Sequence, residues 1–218
     1  MREMIGVYDY TVIATYLASI LGMLGIFYVA DGRVLLAVCL LLVSGFLDSI
    51  DGRIARTKKN RTEIGKNFGI QIDSLNDVIC FGLLPAAIVY RIVHDSMKEY
   101  VPLWAALILC FFCLAGLIRL AYFNVTEEER QKSTDEKRHY YMGLPITASS
   151  LILPMLYLLT LITPKGDAAI MLGGLAITGI LYISPVKIKK PNLFSVILFS
   201  VIGVIEGIIV ILKVNGII

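Results

Sequence analysis

Residues 10–30, YTVIATYLASILGMLGIFYVA, run without one charged side chain, and this run constrains the fold more than any other feature of the chain. About 20 apolar residues are what a helix needs to cross a hydrocarbon core of about 30 Å. In lipid every backbone N–H and C=O must be satisfied within the protein, so an uninterrupted apolar run of this length becomes a helix. Further runs follow near 34–56, 69–93, 101–123, 144–163, 168–186 and 194–212. The expected fold is an all-α polytopic membrane protein with about seven transmembrane helices, six to eight. Composition agrees: 57% of the 218 residues are hydrophobic, 17% are charged, and the mean hydropathy is +0.79. These values exclude a soluble domain and leave room for one transmembrane domain over 1–218.

Local features refine this picture. Asp31-Gly32-Arg33 reads as a tight turn, and Pro85 is expected to kink the third span. Asp9 precedes the first apolar run and no A-x-A site follows it, so that run reads as a retained helix and not a cleaved signal. Cys39, Cys80, Cys110 and Cys113 all lie in apolar segments. Cys110-x2-Cys113 has metal-ligand spacing but no His or second pair beside it, and reads as core packing. Gly22, Gly25, Gly173, Gly174, Gly203 and Gly207 suit close helix packing, and a homodimer is the expected assembly.

Orientation follows from the basic residues. Of the 20 Lys and Arg, fifteen fall at the N-terminus, in the 53–66 and 119–138 loops and in the 187–190 turn, all on one side of a seven-span chain. Basic loops face the cytoplasm. The expected location is a prokaryotic cytoplasmic membrane, with the site on its inner face.

The site itself is expected between Asp48 and Asp77, DSIDGRIARTKKNRTEIGKNFGIQIDSLND. Asp48 and Asp51 are three apart and Asp73 and Asp77 four apart, so each pair shares a helix face. An ionised Asp at the centre of a membrane helix costs about 2.5–3.5 kcal/mol, so four of them need partners. Arg53, Arg56, Lys58, Lys59, Arg61 and Lys66 lie between the pairs. Two helix ends with carboxylate pairs beside a basic loop suit a divalent cation held against a phosphate. Two alternatives are carboxylates salt-bridged to the neighbouring bases, and the cation site of a transporter. The four Asp cluster on one side and do not line a path across the bilayer, which counts against the transporter.

This stretch resembles the signature of the CDP-alcohol phosphatidyltransferases, D-x2-D-G-x2-A-R-x8-G-x3-D-x3-D. Asp48, Asp51, Gly52, Ala55 and Arg56 match its first half, and Gly69, Asp73 and Asp77 its second. The spacer departs, with twelve residues in place of eight, and is read as an insertion of about one helical turn. The resemblance implies Mg2+ or Mn2+, one or two ions, held by Asp48, Asp51, Asp73 and Asp77, with Asp77 also the general base for the acceptor hydroxyl. It implies a CDP site formed by Asp48, Gly52, Ala55, Arg56, Gly69 and Asp73. The glycines would let the nucleotide approach the backbone, and the Arg56 guanidinium would match the diphosphate.

Two flanking runs, Arg119-Leu-Ala-Tyr-Phe-Asn124 and Gly143-Leu-Pro145, resemble the phosphatidylserine synthase branch of that family. Ala18 departs from it, standing where an Asn is expected. The branch implies transfer from CDP-diacylglycerol to L-serine. Arg119 would meet the serine carboxylate, Asn124 would fix its geometry, and Arg138 and His139 are weaker acceptor candidates. Tyr122 and Phe123 read as interfacial aromatics. Glycerol phosphate or inositol phosphate is the alternative acceptor. No nucleic-acid partner is expected.

Overall fold

A computed structural model describes residues 5–58, 60, 62–98, 100–133, 140–162, 167–189, 201–209 and 212. Helix α1 (Tyr10–Ala30) starts where the Asp9 carboxylate accepts a hydrogen bond from the Thr11 N–H at 2.8 Å, satisfying one of the free donors at the helix start. It ends in the expected turn, where Gly32 takes φ +77°, a conformation glycine adopts freely. Helix α2 (Val34–Thr57) follows.

Helix α3 (Glu63–Asp77) is capped by Thr62, whose hydroxyl accepts from the Gly65 N–H at 3.1 Å. It begins six residues ahead of Gly69, so the long spacer is taken up as extra helix before the glycine. α3 runs through a π-helical turn, Val78–Leu83, into α4 (Leu84–Met97). Pro85, where a kink was expected, stands in the first turn of α4 directly after this widened turn. Proline has no N–H and its ring crowds the carbonyls of the preceding turn, and a widened turn makes room. Neighbouring helices supply donors there, as backbone freed in a membrane helix requires. Ser149 Oγ donates to the Phe81 carbonyl at 3.0 Å, and Cys113 Sγ lies 3.5 Å from the Gly82 carbonyl.

Helix α5 (Leu103–Ser133) outruns its expected span of 101–123. Its 31 residues extend about 46 Å, well beyond a hydrocarbon core of about 30 Å. The surplus carries Glu127–Arg130 and Glu128–Lys132 ion pairs, both at 2.7 Å, spacings that support a helix in water. Strand β1 (Tyr140–Met142) then pairs antiparallel with β2 (Lys187–Lys189), Tyr141 opposite Ile188. The sequence reading had a loop and a turn at these places. A 3-10 turn, Ile146–Ala148, leads into α6 (Ser149–Ile162), and α7 is Asp167–Ile183.

α1, α2, the α3–α4 rod and α5 are long and apolar enough to cross a membrane, while α6 and α7 are apolar but shorter. The chain is an all-α polytopic membrane protein. Against about seven expected spans, the described residues hold these four long helices and two shorter ones. Of the expected span 194–212, residues 201–209 are helical, and the rest, residue 212 apart, lies outside the described residues.

The core centres on the rod: Phe81, Leu84 and Ile88 pack with Val38 and Leu41 of α2, Phe112 of α5, Leu153 of α6 and Leu175 of α7. Most of the recurring glycines serve this internal packing. A Cβ at Gly22 would lie 2.6 Å from Cys80 Sγ, one at Gly25 2.8 Å from Leu84, and one at Gly174 2.3 Å from Leu156. Gly173 alone of the six faces open space. All four cysteines are free thiols; Cys110 lies on the exposed face of α5, contrary to its reading as core, and Cys113 is half-buried.

Candidate active site

Asp48 and Asp51 project from α2, more than a turn before its end at Thr57, and Asp73 and Asp77 from the last turns of α3. The pairs thus sit inside continuous helices and not at the free ends that the sequence suggested. One oxygen from each of Asp48, Asp73 and Asp77 comes within 4.8 Å of the others, so the two halves of the motif converge. Asp48 and Asp77 are in carboxyl–carboxyl contact, and Asp51 touches Asp73 in the same way. Asp51 is buried, and its Oδ2 accepts from Thr15 Oγ1 of α1 at 2.9 Å.

Four carboxyls this close repel one another unless something positive joins them. Lys58 does not, because it pairs with Asp9 at 2.8 Å and holds that carboxylate down at about 2. Asp73 Oδ1 and Asp77 Oδ1 are buried and have no hydrogen-bond partner among the described residues. Among the described residues no Lys or Arg forms a salt bridge with any of the four carboxylates. The donor set fits a hard divalent ion. Oxygen ligands around Mg2+ stand about 3 Å apart when adjacent and about 4 Å when opposite, so the cluster closes on an ion by small side-chain rotations. Asp48, Asp73 and Asp77 would hold it, with Asp51 beside them.

Other expected residues lie on the same helices. Gly52 and Ala55 are half-buried on α2, and Gly69 lies one turn before Asp73 on α3. Arg56 folds back along α2, its Nη1 3.5 Å from where a Gly52 Cβ would stand, and acts electrostatically on Asp51. From α5, the Arg119 guanidinium is near enough to act on Asp48 and rests 5.4 Å above the Phe123 ring. Phe123 in turn meets Tyr141 of β1 edge-on at 5.5 Å, so it supports Arg119 and is more than an interfacial aromatic. Tyr122 is exposed, as expected. Asn124 Nδ2 donates to Ser74 Oγ at 2.8 Å, clipping α5 to the turn that carries Asp73. Arg138 and His139 lie outside the described residues.

The Gly143-Leu-Pro145 turn docks on the end of α7. Gly143 takes φ +75°, and a Cβ there would meet the Tyr182 carbonyl oxygen at 2.3 Å. Its N–H donates to Val186 O at 2.9 Å. Sequence reasoning missed Thr15, Ser74, Asn76 and Tyr141. The one signal available was the four-residue spacing of Thr11, Thr15 and Ser19, which sets three hydroxyls on one face of α1.

The chain matches the family model described as CDP-alcohol phosphatidyltransferase over residues 11–180. It belongs to that family. This phosphatidyltransferase is 31% identical over 202 residues to the CDP-diacylglycerol–serine O-phosphatidyltransferase of Methanocaldococcus jannaschii, a match covering 92% of this chain and 83% of that one. It is 33% identical over 176 residues to a protein of the same name from Helicobacter pylori, covering 79% and 67%. An archaetidylserine synthase of Methanothermobacter thermautotrophicus is 32% identical over 151 residues, covering 69% and 58%. The chain spans less than two thirds of the length of several such relatives. A phosphatidyltransferase is an enzyme, so the transporter alternative falls. The family match starts on α1, which brings the helix that grips Asp51 into the family domain.

Proposed function

We propose that this phosphatidyltransferase transfers a phosphatidyl group from CDP-diacylglycerol to L-serine, giving phosphatidylserine and CMP, at the cytoplasmic face of the membrane. The convergence of Asp48, Asp73 and Asp77, with two buried oxygens lacking a partner among the described residues, carries the reading. The relatives named for serine transfer support the acceptor. The basic residues Lys58 and Lys187, on the side where α2, α5 and α7 end, support the orientation.

The reaction joins the serine hydroxyl oxygen to the lipid-bearing phosphorus and breaks the bond from that phosphorus to the oxygen of the CMP phosphate. Mg2+ or Mn2+, when bound, supplies neutralisation of the diphosphate charge. Asp48, Asp51 and Asp73 hold the charge centre in place. Asp77, buried at the meeting point of the two helices, accepts the serine hydroxyl proton. Arg56 steadies the nucleotide diphosphate, and the small residues Gly52, Ala55 and Gly69 leave room for the CDP moiety beside α2 and α3. Arg119, resting over the Phe123 ring, meets the serine carboxylate with its planar fork. Asn124 fixes the distance from α5 to Asp73.

The test is CMP release from CDP-diacylglycerol by purified protein with Mn2+, with L-serine, glycerol 3-phosphate and inositol phosphate as acceptors. Release with serine alone, abolished in Asp77→Asn, is the expected result. Release with a phosphorylated acceptor would discard the role of Arg119 and keep the motif, and silence with every acceptor would overturn the reading.

A further inference from the structure

We infer that Thr15, on α1 and outside the signature, is a positioning residue for the carboxylate cluster. Helical Thr side chains ordinarily return their hydroxyl to a carbonyl three or four residues back. Thr57, Thr126, Thr160 and Thr178 of this chain do so, onto Ile54, Tyr122, Tyr157 and Gly174. Thr15 instead donates to Asp51 Oδ2 at 2.9 Å, across 36 residues of sequence and in a buried place. One turn further, Ser19 Oγ lies 2.8 Å from Oδ1 of Asn76, the residue before Asp77. One face of α1 therefore touches both motif helices beside their carboxylates.

The reach of these short side chains depends on how close α1 lies. Gly22 and Gly25 leave no room for a Cβ against Cys80 and Leu84, so the helices are in backbone contact range. With Oδ2 of Asp51 held by Thr15, the carboxylate keeps one rotamer, turned to the contact with Asp73. Without the hydroxyl, Asp51 is free to swing away from its neighbours. Partners of this kind typically change metal affinity 10–100-fold when removed.

The inference rests on the metal reading above, and Mn2+ binding separates the two. Free Mn2+ is titrated by electron paramagnetic resonance into detergent-purified protein without lipid substrate, with the melting temperature of the metal-free protein measured in parallel. Thr15→Val, of nearly equal volume, is expected to bind Mn2+ at least about tenfold more weakly with an unchanged metal-free melting temperature. Thr15→Ser, which restores the hydroxyl, is expected to bind within about threefold of the unaltered protein. Should Thr15→Val fail to fold, Thr15→Ala takes its place against Thr15→Ser. Equal affinity in the Val or Ala protein would overturn the inference, as would a Ser protein as weak as they are. Unaltered protein that binds no Mn2+ would overturn the metal reading itself, and this inference with it.

Discussion

Gly22→Ala offers a sharp test of how α1 is held against the site. The new Cβ would stand 2.6 Å from Cys80 Sγ, whereas non-bonded atoms settle at about 3.5–4.0 Å. The two must therefore separate by about 1 Å. Cys80 is fully buried, and turning its Sγ aside forfeits the 3.2 Å contacts with Ala18 O and Asn76 Oδ1. Overpacking of this kind costs about 1–3 kcal/mol, against a helix-propensity gain of about 1 kcal/mol for Ala over Gly. The net expectation is a loss of up to about 2 kcal/mol. In a Cys80→Ala background the next atoms are at 3.5 Å, so the clash vanishes and Gly22→Ala becomes neutral or stabilising. The double-mutant cycle should return a coupling of about 1–3 kcal/mol. Unfolding in mixed micelles by increasing denaturing detergent measures it. CMP release should fall in Gly22→Ala, because α1 carries Thr15 away from Asp51, and recover in the double variant. A Gly22→Ala loss that Cys80→Ala leaves unchanged would refute the packing argument.

Three further outcomes are expected. Arg119→Lys keeps the charge but loses the fork and the stack on Phe123, and should raise the KM for serine about tenfold while leaving that for CDP-diacylglycerol unchanged; steady-state kinetics decide it. Gly143→Ala meets both a left-handed φ and the Tyr182 carbonyl, a backbone atom that cannot rotate aside, and should cost about 3 kcal/mol or more in the same unfolding assay. Asp9→Asn keeps the helix cap and removes the charge facing Lys58. Because Asp9 is lowered from its ordinary 3.8 to about 2, the ion pair's contribution is complete above pH about 4 and is lost only as pH falls toward 2. The variant should therefore lose at most about 1 kcal/mol, by the same amount at pH 6 and pH 8, and a difference between those two would refute the assignment.

The division between what the residues alone determine and what the assembled helices decide is clear in this molecule. Apolar length dictates helices because lipid offers the backbone no other partner, and the first two spans fall within a residue of expectation. Spacings of three and four dictate that each carboxylate pair shares a face, since that is local helix geometry. The extent of α5 was not legible, because hydropathy ends where the membrane does while ion pairs carry the helix onward. Nor was the β1–β2 ribbon, whose three-residue strands exist only by pairing far along the chain, Met142 opposite Lys187 and Tyr140 opposite Lys189. Tertiary structure alone decided that Asp48, Asp73 and Asp77 converge, and that Asp51, in contact with Asp73, is also held by Thr15. That choice depends on the distance between α1, α2 and the rod, set by glycines whose missing Cβ atoms matter only once another helix lies against them.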